Sequence, residues 1–250
     1  LSLFLGTCLH AMAAPEAANP NVHVPNVQPN INVDIGGIPE LITANVFSRK
    51  QLTDKPLFLF KRSQRVDPNR ILVYRSYTYP DGRPAVTETV EYENLKLKQV
   101  SLERHQIGES CSAQIRDEKI YFTYQKGDEK RSRVEAIEDP NTITSDQFVK
   151  LIYDRWDDLI SGKSVKFRLI TLFRSETYGF KFEKVEEESL DSKNDAIVIR
   201  MKPTSFIVAA FVGPIYLVFE RGPGRRIIRF VGKTIPLIQV NGQWEEMDGD

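Results

Sequence analysis

Cysteine, histidine and net charge are what this 250-residue chain has least of. Its two cysteines are Cys8 and Cys111, and its three histidines are His10, His23 and His105. So few thiols exclude a framework of several disulfides, and the fold must be held by its hydrophobic core. Only His105 falls in the strand-rich region, so a histidine-based metal site has no second ligand there. CxxC, HExxH, GxSxG, GxGxxG after a strand and the Walker loop are all missing. A Ser-His-Asp arrangement would have to use His105, and the tightest carboxylate pair, Asp157-Asp158, falls on the polar side of a helix. We therefore expect no enzymatic activity, no cofactor and no metal. Lys+Arg and Asp+Glu number 34 each. Three of those carboxylates, Glu16, Asp34 and Glu40, precede every basic residue, so the rest of the chain carries only +3. That balance gives no electrostatic case for nucleic acid or for an anionic membrane surface. Long hydrophobic runs are missing too. The most apolar window, residues 204–219, is too short to span a bilayer and is interrupted by Gly213-Pro214, so no transmembrane span is expected in the mature chain.

What is present begins with an export signature. Leu1 to Leu5 supply an apolar stretch and Ala11-Met12-Ala13 a small-x-small cleavage site, as in a signal peptide remnant over residues 1–13. The expected location is the periplasm. The alternative is an outer-membrane lipoprotein anchored through Cys8, because Leu5-Gly6-Thr7-Cys8 approaches a lipobox. Residues 14–44 are rich in Pro and Asn, which block helix and ladder alike, and predict a disordered linker. Residues 45–248 are expected to form one domain.

Within that domain the period is two. ILVYRSYTY (71–79) ends at Pro80-Asp81-Gly82, a turn in which Pro presets φ and Gly accepts positive φ. Val86, Val90 and Tyr92 alternate with Thr87, Thr89 and Glu91, and a phase slip near Gln99 predicts a bulge. Residues 113–115 and 119–125 form a hairpin over Arg116-Asp117-Glu118, with Cys111 a small strand residue. The patterns around Phe167 and Phe180 are cleanly one-sided. Ser205 to Val212 is read as a short helical or irregular segment lying against the sheet, followed by a buried strand (215–219), strands at 226–231 and 235–240, and a type I′ signal at Asn241-Gly242. The basic triple Arg225, Arg226 and Arg229 reads as a solvated β face.

One helix interrupts the strands, over residues 144–162 (TSDQFVKLIYDRWDDLISG). Thr144 and Gln147 form a capping box, Asp146 complements the helix dipole, and Gly162 supplies the C-terminal stop. Phe148, Leu151, Ile152, Leu159 and Ile160 form its apolar stripe, with Trp156 at the edge. The fold class that follows is all-β with one long helix: an antiparallel, partly open barrel wrapped around or capped by residues 144–162.

A barrel that closes only partly can leave an apolar cleft of the kind that takes acyl chains. Its expected lining is Phe122, Tyr124, Leu151, Trp156, Phe167, Leu169, Tyr178, Phe180 and Phe182, with Arg174 and Glu176 placed to orient a polar head group. The expected function is non-enzymatic binding of a lipid or other apolar small molecule at the periplasm or outer membrane. The alternative is an envelope interaction or scaffold module, with an envelope protein as partner and a filled core.

The runs DQFVKLIYDRWDDLISGKSVKFRL, RSETYGFKF and IRMKPTSFIVAAFVGPIYLVFERGPGRRIIRFVG resemble uncharacterised exported proteins of proteobacteria with a half-barrel fold, distantly similar to periplasmic lipoprotein carriers. The resemblance covers residues 144–232. It implies an incomplete antiparallel barrel around a helix, in the periplasm or at the outer membrane, and assigns no activity to single residues.

Overall fold

Alternation of apolar and polar residues over most of the chain produces two largely antiparallel sheets, joined by a short helical segment. The computed structural model describes residues 33–34, 38–39, 41–51, 54–187, 189–190 and 195–250. The signal remnant, the lipobox at Cys8, His10, His23 and the linker up to residue 32 lie outside the described residues. The end of the expected linker is a correction. β1 (Val33–Asp34) pairs with β2 (Ile38–Pro39), and β3 (Leu41–Val46) is a full strand of the first sheet. The run of closely spaced prolines ends at Pro39, itself the last residue of the short strand β2, and the full strand β3 starts two residues later.

The first sheet is a meander in chain order: β3, β4 (Phe58–Asp67), β5 (Arg70–Thr78), β6 (Pro84–Glu93), β7 (Lys96–Arg104), β8 (Glu109–Arg116), β9 (Lys119–Lys126) and β10 (Glu129–Ala136). Its short turns set the register. Asn94-Leu95 and Asp117-Glu118 each hold two consecutive residues at positive φ, the geometry that matches strand twist in a two-residue hairpin. The expected bulge is present: Glu91 pairs with Gln99 and Tyr92 with Leu97, leaving Lys98 as the extra residue. β10, the edge strand, is almost wholly exposed and carries Lys130, Arg131 and Arg133, charges that discourage edge-to-edge pairing.

The second sheet runs β11 (Thr142–Ile143), β12 (Val165–Thr171), β13 (Glu176–Val185), β14 (Ala196–Pro203), β15 (Ile215–Glu220), β16 (Ile227–Val240) and β17 (Gln243–Gly249). β11 and β12 are parallel, and the helical segment makes the crossover between them. The two strands expected at 226–231 and 235–240 are one strand, β16. Its first part pairs with β15, and from Gly232 onward it pairs with β17. Gly232 allows this swing: its φ is +144°, and a Cβ there would lie 2.8 Å from Ile215 Cγ1. Neither sheet closes on itself. They join edge to edge where Phe47 exchanges backbone hydrogen bonds with Asp250 at 2.9 and 3.0 Å and Ser48 bridges Gly249. The fold is therefore all-β and open, as the periodicity implies.

The helix departs from expectation. Residues 145–147 form a 3-10 turn, α1 spans Phe148–Asp154, and α2 spans Trp156–Ile160. The break is at Arg155, whose φ of −117° and ψ of 21° leave the helical region. Rotation at the break sets the buried side as Phe148, Ile152, Trp156 and Leu159, while Leu151 is half-buried and Ile160 exposed. Trp156 moves from the edge of the expected stripe to its centre.

Two cores result. The first gathers the inner face of β4–β9 with Ile170, Ile238 and Met247 of the second sheet and Leu172 of the 3-10 turn after β12. The second packs Phe148, Ile152, Trp156 and Leu159 onto Phe167, Phe182, Ile199, Leu217 and Phe219. A further correction concerns the 205–212 segment. α3 (Phe206–Ala209) forms, but it does not lie against the sheet: Phe206 is 90 % exposed, Ile207 73 % and Phe211 78 %.

Candidate functional site

The lining expected for a single cleft is divided between the two cores. Phe122 and Tyr124 belong to the first, while Trp156, Phe167, Phe180 and Phe182 belong to the second, with Leu151, Leu169 and Tyr178 packed at its margin. They are divided because β9 lies in the first sheet and β12 and β13 in the second. Within the second core the rings touch. Phe167 stacks on Phe182 at 4.6 Å between centroids, Phe148 meets Phe182 edge-on at 5.7 Å, and Trp156 meets Phe219 edge-on at 5.6 Å. Arg174 lies in a 3-10 turn after β12, and Glu176 is bound by Arg133 and by Tyr178, whose hydroxyl donates at 2.6 Å. That pairing draws the Glu176 carboxyl below its usual range, chiefly through the Tyr178 hydrogen bond.

Hollows lie elsewhere. One, of about 370 Å³, sits between the β4–β5 and β6–β7 turns and is bordered by Asp67, Asn69, Arg70 and Leu95. A second, of about 170 Å³, is bordered by residues 153–158 and Arg225. Of the expected lining residues, only Trp156 borders either. Arg225 lies over the Trp156 ring at 4.9 Å, and its carbonyl accepts from Tyr153 Oη at 2.7 Å. Of the basic triple, Arg226 pairs with Glu220 and Arg229 with Asp250, while Arg225 precedes β16 and covers Trp156; all three are half-buried, so they do not form the solvated β face expected.

The most concentrated polar chemistry in the described residues was not anticipated. Register places Arg62, Arg75 and Glu88 side by side on β4, β5 and β6, facing inward. The first helical turn docks onto this row. Arg62 Nε donates to Asp146 Oδ1 at 2.7 Å, Tyr92 Oη donates to Asp146 Oδ2 at 3.0 Å, and Arg75 Nη1 donates to Ser145 Oγ at 2.7 Å. Arg75 Nη1 also lies 2.7 Å from Glu88 Oε2. Thr144 N–H donates to Gln147 Oε1 at 3.1 Å, the return arm of the expected capping box, while the Gln147 N–H goes to the Thr144 carbonyl. Asp146 is thus a buried ion-pair partner as well as a first-turn carboxylate.

Burial pushes the Asp146 carboxyl up, but the Arg62 charge, its hydrogen bond and the Arg75 charge outweigh it, and the group ends below the usual range. Glu88 goes the other way: burial raises it, Arg75 offsets part of this, and the Asp146 charge adds to the rise. Two carboxylates and two guanidiniums in contact neutralise one another. Such a set anchors two pieces of structure, the inner face of the first sheet and the first helical turn.

A second buried pair closes the far end of the first core. Arg104 Nη1 donates to Glu109 Oε2 at 2.7 Å, Tyr124 Oη donates to Glu109 Oε1 at 2.7 Å, and the Arg104 guanidinium lies over Phe173 at 3.9 Å. Beside it Cys111 is buried, and burial together with the Glu109 charge pushes its thiol up to about 12. Gln106 clamps the second sheet here, donating from Nε2 to the Leu237 carbonyl at 2.7 Å and accepting the Leu237 N–H at 2.8 Å. His105 hydrogen-bonds Thr87 Oγ1 at 2.9 Å on the exposed face.

Among the described residues, then, the polar clusters tie the sheets together, and the prominent unsatisfied surface is the apolar projection at α3. No helix of the described residues is long and apolar enough to cross a membrane. The fold and these features define an open, two-sheet, all-β protein with internally paired charge. Comparison with protein-family models, curated proteins and solved structures found no match to this chain.

Proposed function

We propose that this protein is a non-enzymatic interaction module of the cell envelope, working through its surface. The supporting observation is that the aromatic residues expected to line a cleft instead fill two cores, with Phe122, Phe167 and Phe182 almost inaccessible and the Phe167 and Phe182 rings stacked at 4.6 Å. An acyl chain would have to displace these contacts, each part of an interior packed to crystal-like density. The carrier reading, with a lipid held inside a half-barrel, requires a volume that these rings occupy.

Export to the periplasm, read from residues 1–13, belongs to the same proposal, as does the half-barrel resemblance over residues 144–232. Native mass spectrometry of gently purified protein, followed by organic extraction, tests the reading. The expected result is the mass of the chain alone, with no stoichiometric lipid in the extract. One lipid per chain would overturn the interaction reading in favour of the carrier.

A further inference from the structure

The β14–β15 connection, residues 204–214 (TSFIVAAFVGP), contains no charged side chain. It does not bury what it carries. Phe206, Ile207 and Phe211 are each more than seventy per cent exposed, and no other described large apolar residue is exposed above that level. The base of the projection is nonetheless anchored. Thr204 N–H donates to the Gly179 carbonyl at 2.9 Å, the Ala209 N–H returns to the Ser205 carbonyl at 3.0 Å, and Val212 packs onto the second core. Folding therefore holds these side chains out on a fixed support. An isolated exposed apolar residue needs no explanation, but a contiguous group of them marks a contact surface.

The sheet beside the projection shows what chemistry that contact has. Lys166 on β12 is the register partner of Lys181 on β13, and Lys181 is the register partner of Lys202 on β14. Cross-strand partners share a face, so the three ammonium groups form one row, which ends at a residue only four positions before Phe206. Arg200 lies on the same face, one step along β14. The one carboxylate amid these four cations is Glu183, within 2.6 to 2.8 Å of Arg200, Lys202 and Lys181. A single negative charge shared by three cations leaves the row strongly positive, beside an uncharged knob.

We propose that this projection and its lysine row dock the protein on an anionic lipid bilayer, with Phe206, Ile207 and Phe211 inserted and the row lying over the headgroups. The proposal rests on the reading of the protein as a surface-acting module and names the surface it acts on. A protein groove would need to fit the shape of the knob, whereas a fluid bilayer accepts it without a preformed site. Like-charged ammonium groups repel one another across neighbouring strands, and a plane of lipid phosphates relieves that repulsion. Apolar insertion joined to charge attraction is the combination that holds peripheral proteins at membrane interfaces.

Vesicle flotation tests this with the full chain and a Phe206→Ser/Phe211→Ser variant, which share the same N-terminal sequence, so that their difference reports the projection. Both residues are exposed, and unchanged circular dichroism will verify that the variant folds. With vesicles of phosphatidylcholine and 30 % phosphatidylglycerol, the apparent affinity of the variant is expected to fall by at least about a hundredfold, the lower end of the scale for withdrawing two phenyl rings from an apolar medium. Binding of the parent is expected to weaken about tenfold on pure phosphatidylcholine, and also as salt is raised from about 0.05 to 0.5 M. A Lys166→Gln/Lys181→Gln variant is expected to lose that salt dependence while keeping the fold. Equal binding of parent and Phe variant overturns the proposal, as does equal binding to neutral and anionic vesicles. Self-association in sedimentation velocity that the Phe variant abolishes, without vesicle binding by the parent, would assign the knob to a second copy and overturn it too. None of these outcomes touches the mass-spectrometric result, so the two readings fail separately.

Discussion

Arg62 and Asp146 meet at 2.7 Å although 84 positions separate them, and that pair fastens the first turn of the helical segment onto the inner face of the first sheet. From there α1 and α2 run over the second sheet, so one short segment is bound to the first ribbon by charge and to the second by apolar packing. Both partners are almost wholly buried, with side-chain exposures of 6 % and 3 %.

Breaking this pair leaves a buried guanidinium without the Asp146 carboxylate. Asp146→Ala is expected to destabilise the protein by about 3–5 kcal/mol, because Arg62 loses a charge that a neutral acceptor such as Gln64 Oε1 does not replace. The double change Arg62→Met/Asp146→Leu is expected to recover most of that loss, since well-packed apolar residues can replace a buried pair at little net cost. Urea unfolding followed by circular dichroism measures both. A single variant that loses less than about 1 kcal/mol would show the pair to be dispensable.

Trp156 anchors the other end of the segment, 7 % exposed, edge-on to Phe219 and covered by Arg225. Trp156→Ala is expected to cost about 3–5 kcal/mol through lost burial and the cavity left behind. Its fluorescence supplies an independent check. In a Trp244→Phe background, emission should be blue-shifted and poorly quenched by acrylamide, and an exposed spectrum would contradict the packing.

Glu183 gives the protein a dependence on acid. Burial raises its carboxyl, but hydrogen bonds from Lys181, Lys202 and Arg200 outweigh that and hold it at about 2. A depressed folded pKa contributes stability that is complete above the unfolded value and is lost as pH falls toward about 2. The parent should therefore be more stable than Glu183→Gln at pH 7, and the two should converge between about pH 5 and pH 2. Urea midpoints across that range will reveal the crossover, and a gap that does not change with pH would rule the ion cluster out as its source.

Cys111 should be chemically silent. It lies on the inner face of β8, and its thiol is pushed up to about 12, so almost no thiolate exists at pH 8. In a Cys8→Ser background, a disulfide-exchange reagent should leave the native protein unlabelled for hours and label it fully in guanidinium. Rapid native labelling would mean that β8 opens readily.

Much of this architecture was legible because strand periodicity is local. The alternation through Ile120, Phe122 and Tyr124, the slip near Gln99 and the type I′ signal at Asn241-Gly242 all appear as bulge, strand and hairpin at those places. The buried ion cluster also leaves a trace in the sequence. Glu88 sits at the inward parity between Val86 and Val90, and Arg75 between Val73 and Tyr77. A charge on an apolar face calls for a partner: Glu88 finds Arg75 through the β5–β6 register, whereas Arg62 finds Asp146 only in a turn 84 positions along the chain.

The sequence by itself determined the strands, most of their turns, the face each presents and, through Phe148, Ile152 and Leu159, part of the apolar side of the helix, because each depends on residues only a few positions apart. Tertiary structure decided how those faces were shared out: two cores in place of one cleft, a break at Arg155, Asp146 turned inward to Arg62, and α3 left standing in solvent. The physical reason is that burial is a property of what arrives from elsewhere in the chain. The apolar residues of 206–211 read as core by composition, and they remain outside because the second core is already filled by the helix.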